Sequence, residues 1–459
     1  MSLPLAGETI GVLGLGRSGV AAARLALRLG AAVYASDFGD GPAARAAADA
    51  LRALGADAET GGHDAAKLAA CGRIVLSPGI PRTVPVLRDP RVAGVPVVAE
   101  VEFAYRWLEA PVIAVTGTNG KTTVTSLVSH LLTAAGMDAP AGGNIGTALS
   151  ELALADEAPD VAVVEVSSFQ LADVDEFAPQ VGILTNLAPD HLDRYPSVAE
   201  YYADKARLFR NATADSRWVL NAEDAAAAAL PGDAPGRRYW FRVASLPPEG
   251  EAGGWLSPEG ELVLRMDAGA RTETLLPASE LRILGRHNVA NALAAALAAR
   301  LAGASTGAVA RGLRTFEAPP HRLQPVAERD GVLWVNDSKA TNIASTKVAL
   351  LGTDRPVVLL LGGRHKGEPY TELLPELAAR VRAVVAYGEA GPIVEADLAP
   401  HVPVVRVDGG FDDVVRRARA EARPGDVVLL SPACSSYDMF RDYEERGRRF
   451  AELARGEGA

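Results

Sequence analysis

Cysteine is nearly absent from this 459-residue chain: Cys71 and Cys434 are the only two. They make no disulfide framework, which fits a reducing compartment and excludes a small, stapled, secreted fold. Long apolar runs are missing too. Stretches such as Val357–Leu361 are far too short to span a bilayer, so no membrane insertion is expected. The opening segment MSLPLAGETIGVLGLG has no basic stretch ahead of an apolar one. No secretory leader is expected, and the cytoplasm is the expected location. A net charge of −11 excludes the general basic footprint of a nucleic-acid binder. An anionic small molecule would need cations placed locally.

Lysine is the most telling scarcity. Of 46 basic residues only six are lysines: Lys67, Lys121, Lys205, Lys339, Lys347 and Lys366. Arg serves wherever any cation will do, so the position of a Lys here points more than usual to chemistry that needs an amine.

What is present is a repeated α/β pattern. Short apolar strands alternate with Ala-rich helices, which predicts parallel sheets. The first block has strands Thr9–Leu13, Ala32–Ser36 and Arg73–Leu76, with a helix over Val20–Leu29. The second opens at strand Val112–Thr116. A helix follows over 121–135, with Val124, Leu127, Val128, Leu131 and Leu132 on one face and Gly136 just beyond. Strands Val161–Val166 and Val181–Thr185 come next. Segments within 217–280 sit between Gly, Pro and Asp turns and read as a small antiparallel patch. A helix over 288–302 resumes the α/β pattern, and Ala225–Ala229 is a low-complexity run. Pro319–Arg322 marks a hinge. The third block has strands Leu333–Val335, Val357–Leu361, Ala383–Ala386, Val404–Val407 and Val427–Leu430.

The expected fold is therefore α/β in three domains. Residues 1–100 form a Rossmann-like unit, residues 101–318 a central P-loop unit, and residues 319–459 a second Rossmann-like unit.

Chemistry concentrates at three places. The run VTGTNGKTT, Val115–Thr123, follows a buried strand and opens an amphipathic helix. Its backbone N–H groups and the helix N-terminus make an anion cradle from Gly117, Thr118, Asn119, Gly120, Lys121, Thr122 and Thr123. Lys121 can reach terminal phosphates, and the Thr122 hydroxyl can bind Mg²⁺. Val115 stands where the strict phosphate-loop spacing has glycine, so this is a G-x-x-G-K-T variant.

Second, strand Val161–Val166 carries Glu165 near its carboxyl end. Strand Val181–Thr185 is followed by Asn186, Asp190, His191 and Asp193. Ligands bind beyond the carboxyl ends of parallel strands, so both segments should face the phosphate loop. Glu165 and His191 could hold Mg²⁺, although His is an unusual partner for that ion. Lys205, in YYADKARLF, is expected on a helix; a generic lysine there would be a solvated cation.

Third, GLGRSG at Gly14–Gly19 follows a strand, with Asp37 about twenty residues on. Alone it would suggest an NAD-dependent dehydrogenase. The same turn, Ser18 included, can hold the diphosphate of a UDP-sugar. A nucleotide switch is a further class, but the N-K-x-D string of guanine-binding switches does not occur.

TGTNGKT (116–122), EVSSFQL (165–171), DHLDRY (190–195) and NDSKATN (336–342) together resemble the Mur ligase family, which adds amino acids to the cell-wall precursor. GGNIG (142–146), GRHNVANAL (285–293), PHRL (320–323), LGG (361–363) and LSPACSSYDMF (430–440) agree. The resemblance runs from about residue 9 to about residue 447. It implies an ATP-consuming amide ligase acting on UDP-N-acetylmuramoyl-L-alanine and D-glutamate, with two Mg²⁺ ions and a monomeric chain. DHLDRY and NDSKATN argue against the related folate-polyglutamating ligases.

By resemblance, Lys121 and Thr122 hold ATP phosphates and Mg²⁺. Glu165, His191 and a carbamylated Lys205 ligate a second Mg²⁺. Asn288 and Asn291 meet the adenine, Asp337 the ribose, and Arg322 and Lys339 the transferring phosphate. Lys339, Thr341, Lys366, Ser436 and Tyr443 bind D-glutamate. Asn144, Ser167 and Gln170 bind the muramoyl substrate. Two departures stand out: Tyr443 replaces a common Phe, and Phe38-Gly39 follows Asp37 where some members have Thr-Arg.

Overall fold

The computed structural model describes residues 3–191, 194–283, 285–317, 320–353 and 355–457. Asp193 and Pro319 lie outside the described residues. The chain packs as two compact units. One comprises Met1–Leu276 with Asn291–Leu313; the other comprises Pro277–Ala290 with Arg314–Ala459.

The first unit holds two sheets. The first has five parallel strands in the order Asp57–Thr60, Ala32–Asp37, Thr9–Leu13, Arg73–Leu76, Val97–Ala99. The two edge strands are short and carry no alternating apolar signal, so sequence periodicity misses them. The helix after the glycine turn spans Arg17–Arg28, starting three residues earlier than the apolar run suggests.

The second sheet has nine strands, with Val112–Thr116 third from one edge. That strand is buried throughout. It pairs in parallel with Ala162–Glu165 and Val181–Leu184. Helix Lys121–Ala134 buries the expected stripe of Val124, Leu127, Val128, Leu131 and Leu132. Each such side chain contributes about 1.5–3 kcal/mol of apolar burial. The helix stops where Gly136 turns left-handed at φ 86° and Met137 N–H returns to Leu132 O.

The small antiparallel patch expected within 217–280 forms at Gly253–Leu256 and Glu261–Arg265, but Arg237–Arg242 is not part of it and pairs in parallel on both sides. These strands extend the same sheet, and Arg217–Asn221 runs parallel to both Val181–Leu184 and Arg237–Arg242. The connection back includes a short helix, Ala225–Ala229, capped by Asp224, which is long enough for a crossover.

The second unit holds a six-stranded sheet in the order Gln324–Arg329, Val332–Asn336, Val427–Leu430, Val357–Gly362, Val381–Tyr387, Val404–Val407. Only the Gln324–Arg329 edge pairs antiparallel.

Helix Glu100–Tyr105 carries a carboxylate into the first unit's interior. Glu100 is fully buried; one oxygen accepts Ser150 N–H at 2.6 Å and the other has no partner among the described residues. Burial pushes its carboxyl up to about 7, against the Ser150 hydrogen bonds. A folded value above the unfolded one gives stability present below about 4.5 and lost as pH rises toward about 7. Glu100→Gln should flatten that slope. Its thermal midpoint relative to the parent should rise by about 3 °C or more between mildly acidic and mildly basic buffer. A pH-independent difference would contradict this.

Candidate active site

The phosphate loop begins where strand Val112–Thr116 ends. Gly117 has φ 142°, and a Cβ there would meet Thr185 Oγ1 at 2.0 Å. Gly120 has φ 84°, with Asn291 Oδ1 2.7 Å from its would-be Cβ. The loop is pinned from the neighbouring strand. Asn119 N–H donates to Asn186 Oδ1 at 2.9 Å, and Asn119 O accepts from Thr185 Oγ1 (2.6 Å) and Asn186 Nδ2 (2.9 Å). Lys121 curls back over the loop, its Nζ donating to Gly117 O (3.0 Å) and Thr118 O (2.8 Å). An ammonium and the N-terminus of a fourteen-residue helix thus meet at one cradle.

Glu165, at the end of its strand, faces this loop. Its Oε2 accepts from Thr122 Oγ1 at 2.8 Å and its Oε1 from Asn144 Nδ2 at 2.7 Å. Lys205 arrives from the other side, on helix Val198–Ala206. It is 1% exposed, and its Nζ donates to Gly117 O at 2.8 Å. Burial, and then the Lys121 ammonium, hold its amine well below the usual lysine range, against the pull of Asp190, Glu165 and Asp204.

Tyr201 joins these groups. Its ring lies 4.7 Å from Lys205 Nζ, its hydroxyl is 3.2 Å from Thr118 Oγ1, and its edge meets His191 at 6.1 Å. His191 sits at a left-handed φ of 55° and packs against Phe169. Sequence reading passed over Tyr201, since a tyrosine one helical turn before a lysine carries no signal of its own.

Thr122 and Glu165 set a hydroxyl and a carboxylate side by side, a donor pair suited to a hard cation. No cluster of three His, Cys, Asp or Glu forms among the described residues.

Ser167 and Gln170 cap the short helix Ser168–Leu171 reciprocally. Gln170 is 1% exposed, and its Nε2 finds no hydrogen-bond partner among the described residues. A buried donor without a protein partner calls for an explanation, and a bound water or ligand is one.

Asn144 also lines a cavity of about 720 Å³ that reaches back to the first sheet's glycine turn, including Gly14, Arg17 and Ser18. Gly14 has φ 90°, and a Cβ on Gly19 would lie 1.7 Å from Gly14 O, so the turn admits no side chain at either place. Asp37 ties the turn down, accepting Leu15 N–H and Gly39 N–H, each at 2.7 Å. A molecule in this cavity therefore meets the glycine turn at one end and, through Asn144, the Glu165 carboxylate at the other. His63, also in its lining, escapes sequence reading because it lies outside the glycine pattern; Arg17, also there, stands at a variable position within it.

In the second unit, Lys339 Nζ lies 3.8 Å from the centre of the Tyr443 ring, and Lys366 Nζ is 3.3 Å from Thr341 Oγ1. Tyr443 thus supports Lys339 with its ring as well as holding Ser338 Oγ through its carbonyl at 2.8 Å. Ser436 is buried. Asp337 accepts from Leu323 N–H (3.1 Å) and Ser431 Oγ (2.9 Å), and burial pushes its carboxyl up to about 7 although the Arg322 charge pulls it down. Arg446, fully buried, donates to Ser338 and to the carbonyl of Cys434. In so Arg-rich a chain it does not stand out from sequence. Asn288 and Asn291, both buried, lie one turn apart on helix Arg286–Leu301.

Three family profiles cover the chain in order: the MurD-like N-terminal domain at residues 8–99, the Mur ligase middle domain at 115–299, and the Mur ligase glutamate ligase domain at 321–434. A protein of Anaeromyxobacter dehalogenans, named UDP-N-acetylmuramoylalanine--D-glutamate ligase, is 46% identical over 461 aligned residues, spanning 98% of each chain. The chain belongs to the Mur ligase family. An Acidobacterium capsulatum protein of the same name is 42% identical, over 98% of this chain and 97% of its own. Solved Mur ligases share the fold. A UDP-N-acetylmuramate-alanine ligase from Thermotoga maritima superposes with a TM-score of 0.61 at 21% identity, covering 98% of this chain and 99% of its own. A pseudomurein peptide ligase type C from Methanothermus fervidus gives 0.62 at 19% identity, covering 97% of this chain and all of its own. Like the sequence, the described residues contain no helix long and apolar enough to cross a membrane.

Proposed function

We propose that this Mur ligase family member is an ATP-dependent amide ligase that adds D-glutamate to UDP-N-acetylmuramoyl-L-alanine in peptidoglycan precursor synthesis. The observation that carries the reading is the meeting of Lys121, Thr122, Glu165 and Lys205 at one loop, with Asn144 linking that loop to the first-sheet cavity. The relatives named for this reaction match along the whole chain.

In the proposed reaction an L-alanyl carboxylate oxygen attacks the γ-phosphorus of ATP in line, and the bond to ADP breaks. The amine of D-glutamate then attacks the acyl carbon, loses a proton, and expels phosphate. Lys121 offsets charge on the transferring group, and Lys339 and Arg322 are assigned the same task. Thr122, Glu165, His191 and carbamylated Lys205 would hold Mg²⁺, which when bound neutralises phosphate charge. Asn288, Asn291 and Asp337 are assigned to the nucleoside of ATP. Ser18, Asn144, Ser167 and Gln170 are assigned to the muramoyl substrate; Lys339, Thr341, Lys366, Ser436 and Tyr443 to D-glutamate. The division at 1–100, 101–318 and 319–459, a monomeric chain and a cytoplasmic location belong to the same proposal.

The test is phosphate release from ATP with UDP-N-acetylmuramoyl-L-alanine and a panel of amino acids. Release should require both acceptor and amine, with D-glutamate preferred over L-glutamate by about a hundred-fold or more. Release independent of any amine would favour a nucleotide switch, and NADH oxidation coupled to turnover a dehydrogenase.

A further inference from the structure

One wall of the first-sheet cavity is tied down by residues that have no task so far. Residues 77–85 leave the carboxyl end of strand Arg73–Leu76 and form that wall through Ser77, Pro78, Gly79, Ile80, Pro81 and Val84. Three prolines here, Pro78, Pro81 and Pro85, have no N–H to give. The N–H groups of Ile80, Val84 and Leu87 donate to the carbonyls of Ser77, Pro81 and Val84, within the segment itself. Side chains therefore do much of the work of fixing the wall to the rest of the chain. Ile80 seats it on the glycine turn, its Cδ1 2.7 Å from where a Cβ on Gly14 would lie. Arg82 supplies the polar hold. Its Nη2 donates to Val97 O at 3.1 Å, and its Nε forms an ion pair with Asp173 Oδ1.

Asp173 comes from the second sheet's side of the site. It lies three residues beyond Gln170, and its N–H donates to Gln170 O at 3.1 Å. Its carbonyl accepts Ala99 N–H at 3.1 Å, at the end of the first sheet's edge strand Val97–Ala99. Its side chain is 5% exposed, against 56% for Arg82. Burial pushes the carboxyl up to about 6, while the Arg82 and Arg207 charges pull it down and Asp204 adds to the rise. A carboxylate this enclosed is costly to leave unpaired, so Arg82 is drawn to it. The pair joins the wall beside the glycine turn to the turn that follows Gln170, the residue whose Nε2 lacks a partner among the described residues.

We infer that the Arg82–Asp173 pair is a latch that sets the spacing between the cavity wall and the Gln170 turn, which makes Arg82 a positioning residue for a long substrate that reaches both. Arg82 acts through the wall, since it is not among the residues lining the cavity. The inference rests on the ligase reading for the identity of that substrate, UDP-N-acetylmuramoyl-L-alanine. A ligand held at the glycine turn alone does not sense the spacing.

The test is calorimetric titration of the full chain with UDP-N-acetylmuramoyl-L-alanine and with UDP, alongside steady-state rates. Arg82→Ala should weaken the muramoyl nucleotide by about ten-fold and UDP by less than about three-fold. KM for the muramoyl nucleotide should rise similarly, while kcat and the KM for ATP stay within about two-fold. Arg82→Lys keeps the charge and should return affinity to within about three-fold of the parent. Asp173→Asn should weaken binding as Arg82→Ala does, and the double variant should be at most about two-fold weaker than either single one. Arg82 is more than half exposed, so the fold survives its removal. Arg82→Ala affinity within about two-fold of the parent, or single effects that multiply in the double variant, would overturn the latch. Equal losses for UDP and for the muramoyl nucleotide would do the same. Turnover with an unaffected Arg82→Ala variant would remove the latch and leave the ligase standing. Arg82-dependent binding of the muramoyl nucleotide without ligation would do the reverse.

Discussion

Lys205→Ala should lose activity by about a thousand-fold or more, and acetate or formate should restore part of it. The side chain is 1% exposed and 2.8 Å from Gly117 O, so its removal leaves a small buried space against the phosphate loop. A carbamate there would supply an anionic oxygen beside Glu165 and Thr122, and a small carboxylate can stand in for that group. Lys205→Arg should be as inactive as the alanine variant. Guanidinium stays charged and does not offer a free amine to CO₂. Burial and the Lys121 charge act the other way on Lys205, lowering its amine toward the neutral form that carbamylation needs. Steady-state rates with and without added carboxylate decide the matter, with thermal midpoints to show that the variants fold. An undiminished alanine variant would remove Lys205 from the chemistry.

Gly117→Ala should abolish ATP-dependent turnover by about a hundred-fold or more and lower stability by about 2–4 kcal/mol. The new Cβ would sit 2.0 Å from Thr185 Oγ1 and within 3.2 Å of Asn186 backbone atoms, at a φ of 142° that side chains rarely adopt. Relief requires moving Thr185, which holds Asn119 O, so the cradle itself must shift. Gly120→Ala should be milder, because its closest neighbour is the Asn291 side chain at 2.7 Å rather than a pinned strand residue. Gly94→Ala, with nothing within 4 Å of its Cβ, serves as the control. Nucleotide affinity and thermal midpoints should follow that order. A Gly117→Ala variant with normal nucleotide affinity would mean that the loop does not hold phosphates as proposed.

Much of this was legible from residues alone because the chemistry sits at strand ends. Strands Thr9–Leu13, Arg73–Leu76, Val112–Thr116, Val404–Val407 and Val427–Leu430 are apolar runs bounded by turn residues, and they form as read. The scarcity of lysine singled out Lys121 and Lys205, which meet at Gly117 O although Lys205 lies 88 residues away in sequence from that carbonyl. What escaped was of three physical kinds. Edge strands such as Asp57–Thr60 carry no periodic signal because four residues with no large apolar side chain are too few to show one. The direction of the strands after Arg217 depends on a crossover whose length, and not its composition, decides between parallel and antiparallel. Tyr201, His63 and Arg446 act through tertiary contacts to residues far along the chain, and no local pattern encodes those.

The reading as a whole depends on a carboxylate being activated by phosphoryl transfer. The direct measurement uses UDP-N-acetylmuramoyl-L-alanine labelled with ¹⁸O in its alanyl carboxylate, with ATP and D-glutamate, and determines the label in the phosphate released. Acyl-phosphate chemistry predicts one labelled oxygen in each phosphate formed from fully labelled substrate. Phosphate without label, released while the amide forms, would contradict it.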